Sequence, residues 1–284
     1  MKQVIDVAGY SSATAKNYIS ELRYLFAYYN DVHCDDIGEK EILNYISYIK
    51  ETFLVGKAKC RMAAQAFSFY YKHVLKKEYE LLSKLYPKRD HIFPKVMSQQ
   101  EVMQLMSVIT NLKHRAIVGL LYGSGLRLNE LRQLHISDIQ TKDVESPRVY
   151  VNKGKGNRDR FTLLPQCLLN DLREYYKKYM PVNYLFNGHK KGHPMNGRSI
   201  QHAVSQCLNK CGLREKAYSV HTFRHSFATH ALDNGNDIHT IKELLGHSSL
   251  STTIVYLHLQ QTKRACLQSP LDVLMKHKTE NVVQ

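Results

Sequence analysis

The stretch from His221 to Tyr256 carries a histidine, an arginine three residues later (Arg224), a histidine after a glycine (His247) and a tyrosine (Tyr256) in one basic segment. These are the parts of a metal-free site for attack on a phosphodiester. A phenol can attack, an imidazole can move a proton, and a guanidinium can grip two oxygens at once. One arginine cannot neutralise a pentacovalent phosphorane, so the reading requires positive charge from elsewhere in the chain.

Two upstream segments can supply it. In HRAIVGLLYGSGLRLNELRQL an apolar helix is broken by Gly123 and Gly125, after which Arg127 and Glu130 stand one helical turn apart. An Arg–Glu pair at this spacing is commonly a surface ion pair worth about 0.2–0.5 kcal/mol; the glycine-flanked apolar setting favours an aimed arginine. Further on, RVYVN (148–152) and RFTLLP (160–165) alternate like strands around KGKGNRD, whose glycines suit a tight hairpin turn. Lys153, Lys155, Arg158 and Arg160 cluster at that tip. Such a cluster can simply protect a sheet edge, but a lysine on a turn can also swing into a site and donate a proton.

The charge of the whole chain points to the same class of partner. Its 284 residues carry a formal net charge of +15, which favours a polyanion, since clustered Lys and Arg release counterions from phosphates. Residues 1–90 hold 14 basic and 11 acidic side chains, a net of +3, and the remainder holds 26 and 14, a net of +12. No apolar run approaches the ~20 residues of a membrane span, and the N-terminus lacks a signal-peptide core, so a cytoplasmic location is expected. Six scattered cysteines fit reduced thiols; Cys207 and Cys211, one helical turn apart, read as two small apolar side chains on one face.

The supporting elements are mainly helical. Apolar residues recur with a 3.6-residue period over Ser11–Asn30, Glu39–Glu51 and the segment following Gly56, with a further helical stretch, YELLSKLY, ending at Pro87. This N-terminal bundle places Lys57, Lys59 and Arg61 near one helix start, where free N–H groups also favour phosphate, although a charged helix face is most often merely solvated. Residues 84–97 read as an extended linker with two prolines. Ser98 and Glu101 then form a capping box that opens a helix. Helices are expected over 166–180 and 198–210, with NGHKKGHPMNGR as a surface loop between them, and over 221–234, 237–245 and 251–259.

GSGLRLNEL, GKGNRDR, HTFRHSFATH, LLGHSSLSTT and IVY occur in that order, and over residues 10–260 the chain resembles the tyrosine recombinase (phage integrase) family, in its simple two-domain Xer-like form. The resemblance implies a helical, SAM-like, core-binding DNA domain over 1–85, a linker over 86–97, a catalytic domain over 98–260 that is mostly helical with a small antiparallel sheet, and a tail over 261–284. It implies site-specific recombination of double-stranded DNA by a DNA-bound homotetramer, through a 3′-phosphotyrosine and a Holliday junction. Tyr256 would then be the nucleophile, His221 its base, Arg127 and Arg224 the clamp on the nonbridging oxygens, His247 a further hydrogen-bond donor and Lys155 the acid for the leaving 5′-oxygen. Glu130 would hold the basic residues in register, and Lys153, Arg158, Lys57, Lys59 and Arg61 are expected DNA contacts. Choosing Lys155 over Lys153 rests on its place between two glycines.

With two arginines and a lysine supplying charge, no metal is required, and because the phosphotyrosine conserves the bond energy no nucleotide cofactor is needed. His225 and His230 share a helix with His221 but lack a nearby carboxylate or cysteine set for zinc. Ser124 and Met97 stand where the family often has threonine and leucine. The tail, with Leu271, Val273 and Leu274, docks on a neighbouring protomer or covers its own domain. Two other functions compete: a type IB topoisomerase-like activity on any duplex, and DNA binding without catalysis.

Overall fold

Short polar caps start most of the helices. In the computed structural model, residues 1–34, 36–79, 93–141, 146–152, 159–257 and 259 are described. The chain divides into two compact units, Met1–Ile92 and Phe93–Gln284. Both are mainly helical, and the second also holds a small antiparallel sheet.

The first unit contains α1 (Lys2–Val7), α2 (Ser12–Tyr28), α3 (Glu39–Thr52) and α4 (Lys57–Phe69). Ser11 caps α2 by accepting from the Thr14 amide at 3.1 Å, and Glu41 reaches back to the Gly38 amide at 2.9 Å to start α3. Leu22 and Leu25 of α2, Ile42 and Ile49 of α3, and Ala63, Ala64, Ala66 and Phe67 of α4 form the core. The alanines let α2 lie close against α4. The apolar period after Gly56 predicts one helix continuing past residue 70, whereas α4 gives way to a π-helical turn, Tyr70–Leu75, that ends at Lys76 in the left-handed region. The stretch YELLSKLY lies outside the described residues beyond Tyr79.

The second unit is built on α6 (Leu112–Gly123), in which Ala116, Ile117, Val118, Leu120 and Leu121 are all buried. A helix apolar on every side belongs inside a core. Packed with it are α5 (Gln99–Val108), α8 (Leu169–Tyr179), α9 (Gly197–Lys210) and α10 (Val220–Asp233). The Ser98–Glu101 capping box opens α5 as the sequence predicts. The short helix α7 (Leu128–Gln133) follows α6, while α11 (Ile238–Leu245) and α12 (Ser251–Leu257) close the described part. A smaller cluster, with Phe227, Leu232, Ile241, Leu245 and Tyr256, joins α10, α11 and α12.

The predicted hairpin is present as β2 (Arg148–Val151) and β3 (Arg160–Leu163), with Val151 opposite Arg160 and Val149 opposite Thr162. A third strand, β1 (Ile139–Gln140), pairs with β2; two residues carry too little periodicity to be read from sequence. Among the described residues no helix is long and apolar enough to cross a membrane.

Candidate active site

Everything at the site begins at the break after α6. Gly125 has φ +60°, and a Cβ there would lie 2.6 Å from Cδ1 of Phe227, so only glycine fits both the conformation and the space. The turn buries Leu126 and delivers Arg127 to the residue preceding α7. There the Arg127 amide donates to Oε2 of Glu130 at 2.8 Å, and its Nη1 donates to Oε1 at 2.7 Å. The spacing of three residues thus lets the carboxylate cap the helix and orient the guanidinium.

Glu130 has a second partner. Arg160, at the start of β3, places Nη1 and Nη2 on the two carboxylate oxygens at 2.9 and 2.8 Å, and its Nε donates to the Leu244 carbonyl at 2.8 Å. The side chains are 8% and 6% exposed. Burial works to raise the Glu130 carboxyl, but the hydrogen bonds and charge of Arg160, with the amide and charge of Arg127, outweigh it and hold the group at about 2. Arg160 was counted in the sequence only as one more charge of the hairpin tip. Phe161 and Leu163 are exposed, while Val149 and Val151 of the paired strand are buried. The polar positions of RFTL thus face inward, and Thr162 binds the Ser124 carbonyl at 2.8 Å, bracing the glycine turn.

Arg224 rises from α10 into the same place. It is 4% exposed, with Nη1 on the Gly125 carbonyl at 2.7 Å and Nη2 on the Leu245 carbonyl at 2.6 Å. Its Nη1 also lies 3.8 Å from Oε2 of Glu130. Burial, and then the charge of Arg127, push it down to about 9, so it stays a cation at neutral pH.

His247 follows Gly246, the left-handed cap of α11. Its Nδ1 is 2.9 Å from the Thr253 hydroxyl. Burial, together with the charges of Arg224, Arg127 and Arg160, pushes the imidazole down to about 3. The ring is held neutral, and with Nδ1 engaged by Thr253 its Nε2 is the nitrogen left for an oxyanion.

Tyr256 lies one turn beyond Thr253 on α12, and its ring stacks near His247, with centroids 6.3 Å apart and planes at 16°. It is only 3% exposed, and its hydroxyl lies 2.9 Å from Nδ1 of His225. Burial raises the phenol above 10, opposed by the charges of Arg224 and Arg127. Burial, and then the nearby His221 and Arg224, lower His225 to about 4. His225 is thus the hydroxyl's partner, a role that its sequence position one helical turn beyond His221 hints at but does not assign. His221 itself is exposed. His230, the other histidine of α10, bonds the Tyr122 hydroxyl at 2.9 Å.

Arg127, Glu130, Arg224, His247 and Tyr256, drawn from three distant segments, are therefore brought together. Lys153, Lys155 and Arg158 fall within 153–158, outside the described residues. Lys57, Lys59 and Arg61 belong to the first unit, where Lys57 is exposed, Lys59 pairs with the buried carboxylate of Glu21 and lies 5.4 Å from the Tyr24 ring centre, and Arg61 is half-buried.

Residues 95–263 match the model of the phage integrase family, and residues 1–81 match that of the phage integrase N-terminal SAM-like domain. Tyrosine recombinase XerA of Pyrococcus furiosus is 36% identical over 201 residues, covering 69% of this chain and 68% of the relative. Tyrosine recombinase XerD of Rickettsia bellii is 29% identical over 289 residues, covering 94% and 90%. Among solved structures, a lambda integrase tetramer bound to a Holliday junction shares the fold with a TM-score of 0.69 at 16% identity, over 89% of this chain and 74% of that one. With its catalytic region and its helical N-terminal unit both matched, the chain belongs to the phage integrase family and is a tyrosine recombinase.

Proposed function

We propose that the chain cuts and rejoins double-stranded DNA at a specific site. The oxygen of Tyr256 attacks the scissile phosphorus, the bond to the 5′-oxygen breaks, and a 3′-phosphotyrosine stores the bond energy until a 5′-hydroxyl reverses the step. Arg127 and Arg224 hold the nonbridging oxygens, and His247 adds the N–H of its neutral ring. Lys155 gives a proton to the leaving 5′-oxygen. His221 receives the phenolic proton once Tyr256 has exchanged its hydrogen bond to His225 for the phosphate. Glu130 neutralises part of the arginine charge and sets its direction.

Exchange of two duplexes requires four cuts, one tyrosine each, so we assign the acting form to a homotetramer passing through a Holliday junction. A tail over 261–284 that docks on a neighbouring protomer fits that form. In this reading residues 1–85 form a DNA-binding unit that contributes Lys57, Lys59 and Arg61, and Lys153 and Arg158 touch DNA beside Lys155. The observation that carries the proposal is the convergence of the buried Arg224, the half-buried Arg127 and the ring of His247 on one buried tyrosine. Incubating the chain with nicked duplexes selected from its own genomic surroundings should trap a covalent protein–DNA adduct, lost in Tyr256→Phe. An adduct that survives the substitution, or none on any duplex the chain binds tightly, would sink the proposal. Relaxation of a plasmid lacking the selected site would point instead to a topoisomerase.

A further inference from the structure

Arg160 has no chemical role in the proposed step, yet each of its three nitrogens makes a hydrogen bond inside the site. Its fork covers both oxygens of Glu130, and its Nε–H holds the Leu244 carbonyl at the end of α11. A Cβ on Gly246 would lie 2.8 Å from its Cδ and 3.1 Å from Nε and Nη1, so the turn before His247 is shaped around it. It also begins β3, in register with Val151 of β2.

We infer that Arg160 is a positioning residue that fixes the directions of Arg127 and His247 at once, through Glu130 and the Leu244–Gly246 turn. The inference rests on the strand-exchange reading above. The physical argument concerns geometry more than charge. Glu130 can bond Arg127 at 2.7 Å only if its carboxylate plane is set, and a bidentate guanidinium sets a plane where a single donor sets a distance. With the plane set by Arg160, Arg127 meets Glu130 through Nη1, and its Nη2 is aimed elsewhere. That atom lies 3.5 Å from the Gly246 carbonyl, too far for a strong bond, and is free to turn to a phosphate oxygen. Without Arg160, Glu130 can rotate onto Arg127 as a two-point pair and engage the nitrogens meant for DNA.

The test uses the full chain with Arg160→Met, which keeps length and apolar volume, and Arg160→Lys, which keeps the charge. Affinity for the selected duplex and single-turnover cleavage are measured separately. Affinity should change by less than about 3-fold, since Arg160 touches no DNA, while cleavage should fall by about 100-fold, the usual result of a displacement of roughly 1 Å at a reacting centre. Arg160→Lys should stay close to Arg160→Met, because an ammonium does not fix a carboxylate plane.

Two modified duplexes separate positioning from mere stability. With a methylphosphonate at the scissile position one nonbridging charge is gone, so the deficit acting through Arg127 should shrink to within about 10-fold. With sulfur in place of the bridging 5′-oxygen the leaving thiolate needs no proton but the nonbridging oxygens still need Arg127, so the deficit should remain. Cleavage within about 3-fold of wild type, or an equal deficit on all three duplexes, overturns the inference. An independent readout is carboxyl-carbon NMR of Glu130, whose titration should move up from about 2 in Arg160→Met. An unmoved titration also overturns the inference, and it decides the matter should the wild-type chain fail to form adducts and so refute the strand-exchange reading itself.

Discussion

Replacing His225 with phenylalanine tests whether the partner of the resting tyrosine is a latch or a base. The ring volume stays, and the acceptor for the Tyr256 hydroxyl, now 2.9 Å away, is lost. As a base His225 is poor. Its imidazolium is held at about 4 while burial raises the phenol above its ordinary value, so direct proton transfer is strongly uphill. As a latch it is adequate. Stranding a buried hydroxyl costs about 1–3 kcal/mol, and the open arrangement of α12, with the hydroxyl in water, does not share that cost. Each 1.4 kcal/mol is about tenfold in population, so the open form should gain about 5- to 100-fold. Hydrogen exchange of the amides over 251–257, read by mass spectrometry, should speed up by that factor, and adduct formation should be retained or faster. Wild-type exchange together with loss of the adduct would refute the reasoning and make His225 the proton acceptor.

Two further outcomes follow from groups already described. His225 and His247 are held neutral far below the ordinary histidine value, so below about pH 6.5 the unfolded chain binds protons that the folded one refuses; stability should drop by about 1.4 kcal/mol per pH unit for each. Glu130, held at about 2, adds a loss in the same direction as pH falls below about 4.5, and urea unfolding from pH 7.5 to 4 should show slopes that His225→Phe or His247→Phe each reduce by one proton. In Gly125→Ala the φ of +60° and the 2.6 Å approach to Phe227 should together cost about 2–4 kcal/mol. The carbonyl held by Arg224 would shift with it, so thermal melting should fall and single-turnover cleavage should fall further than DNA affinity.

Much of this site was legible because its parts carry local signatures. The spacing from Arg127 to Glu130 encodes a cap, Gly125 encodes a turn no other residue can make, and the Ser98–Glu101 box encodes a helix start; each is a short-range rule that survives any fold. What was not legible is what long-range pairing creates. Arg160 and Glu130 are 30 residues apart, and their fork exists only because β3 turns its polar side inward. The His225–Tyr256 bond needs α10 and α12 packed together, which the 3.6-residue period of either helix does not encode. The π-helical turn at Tyr70–Leu75 escaped for a related reason: its residues suit an ordinary α-helix, and only packing selects the wider winding.

The attachment at Met97 bears on where this chain can be cut. Its amide donates to the Ser226 hydroxyl at 2.9 Å, and its backbone also hydrogen-bonds His230, so the segment before α5 is fastened to the helix that carries Arg224 and His225. Lys95 reaches the Lys216 carbonyl at 2.9 Å just ahead of α10. A fragment begun at Ser98, the obvious start by helix boundaries, would strip a buried methionine and two hydrogen bonds from the back of that helix. The excisable enzyme therefore starts upstream of Lys95, and residues that look like connector belong to its working parts.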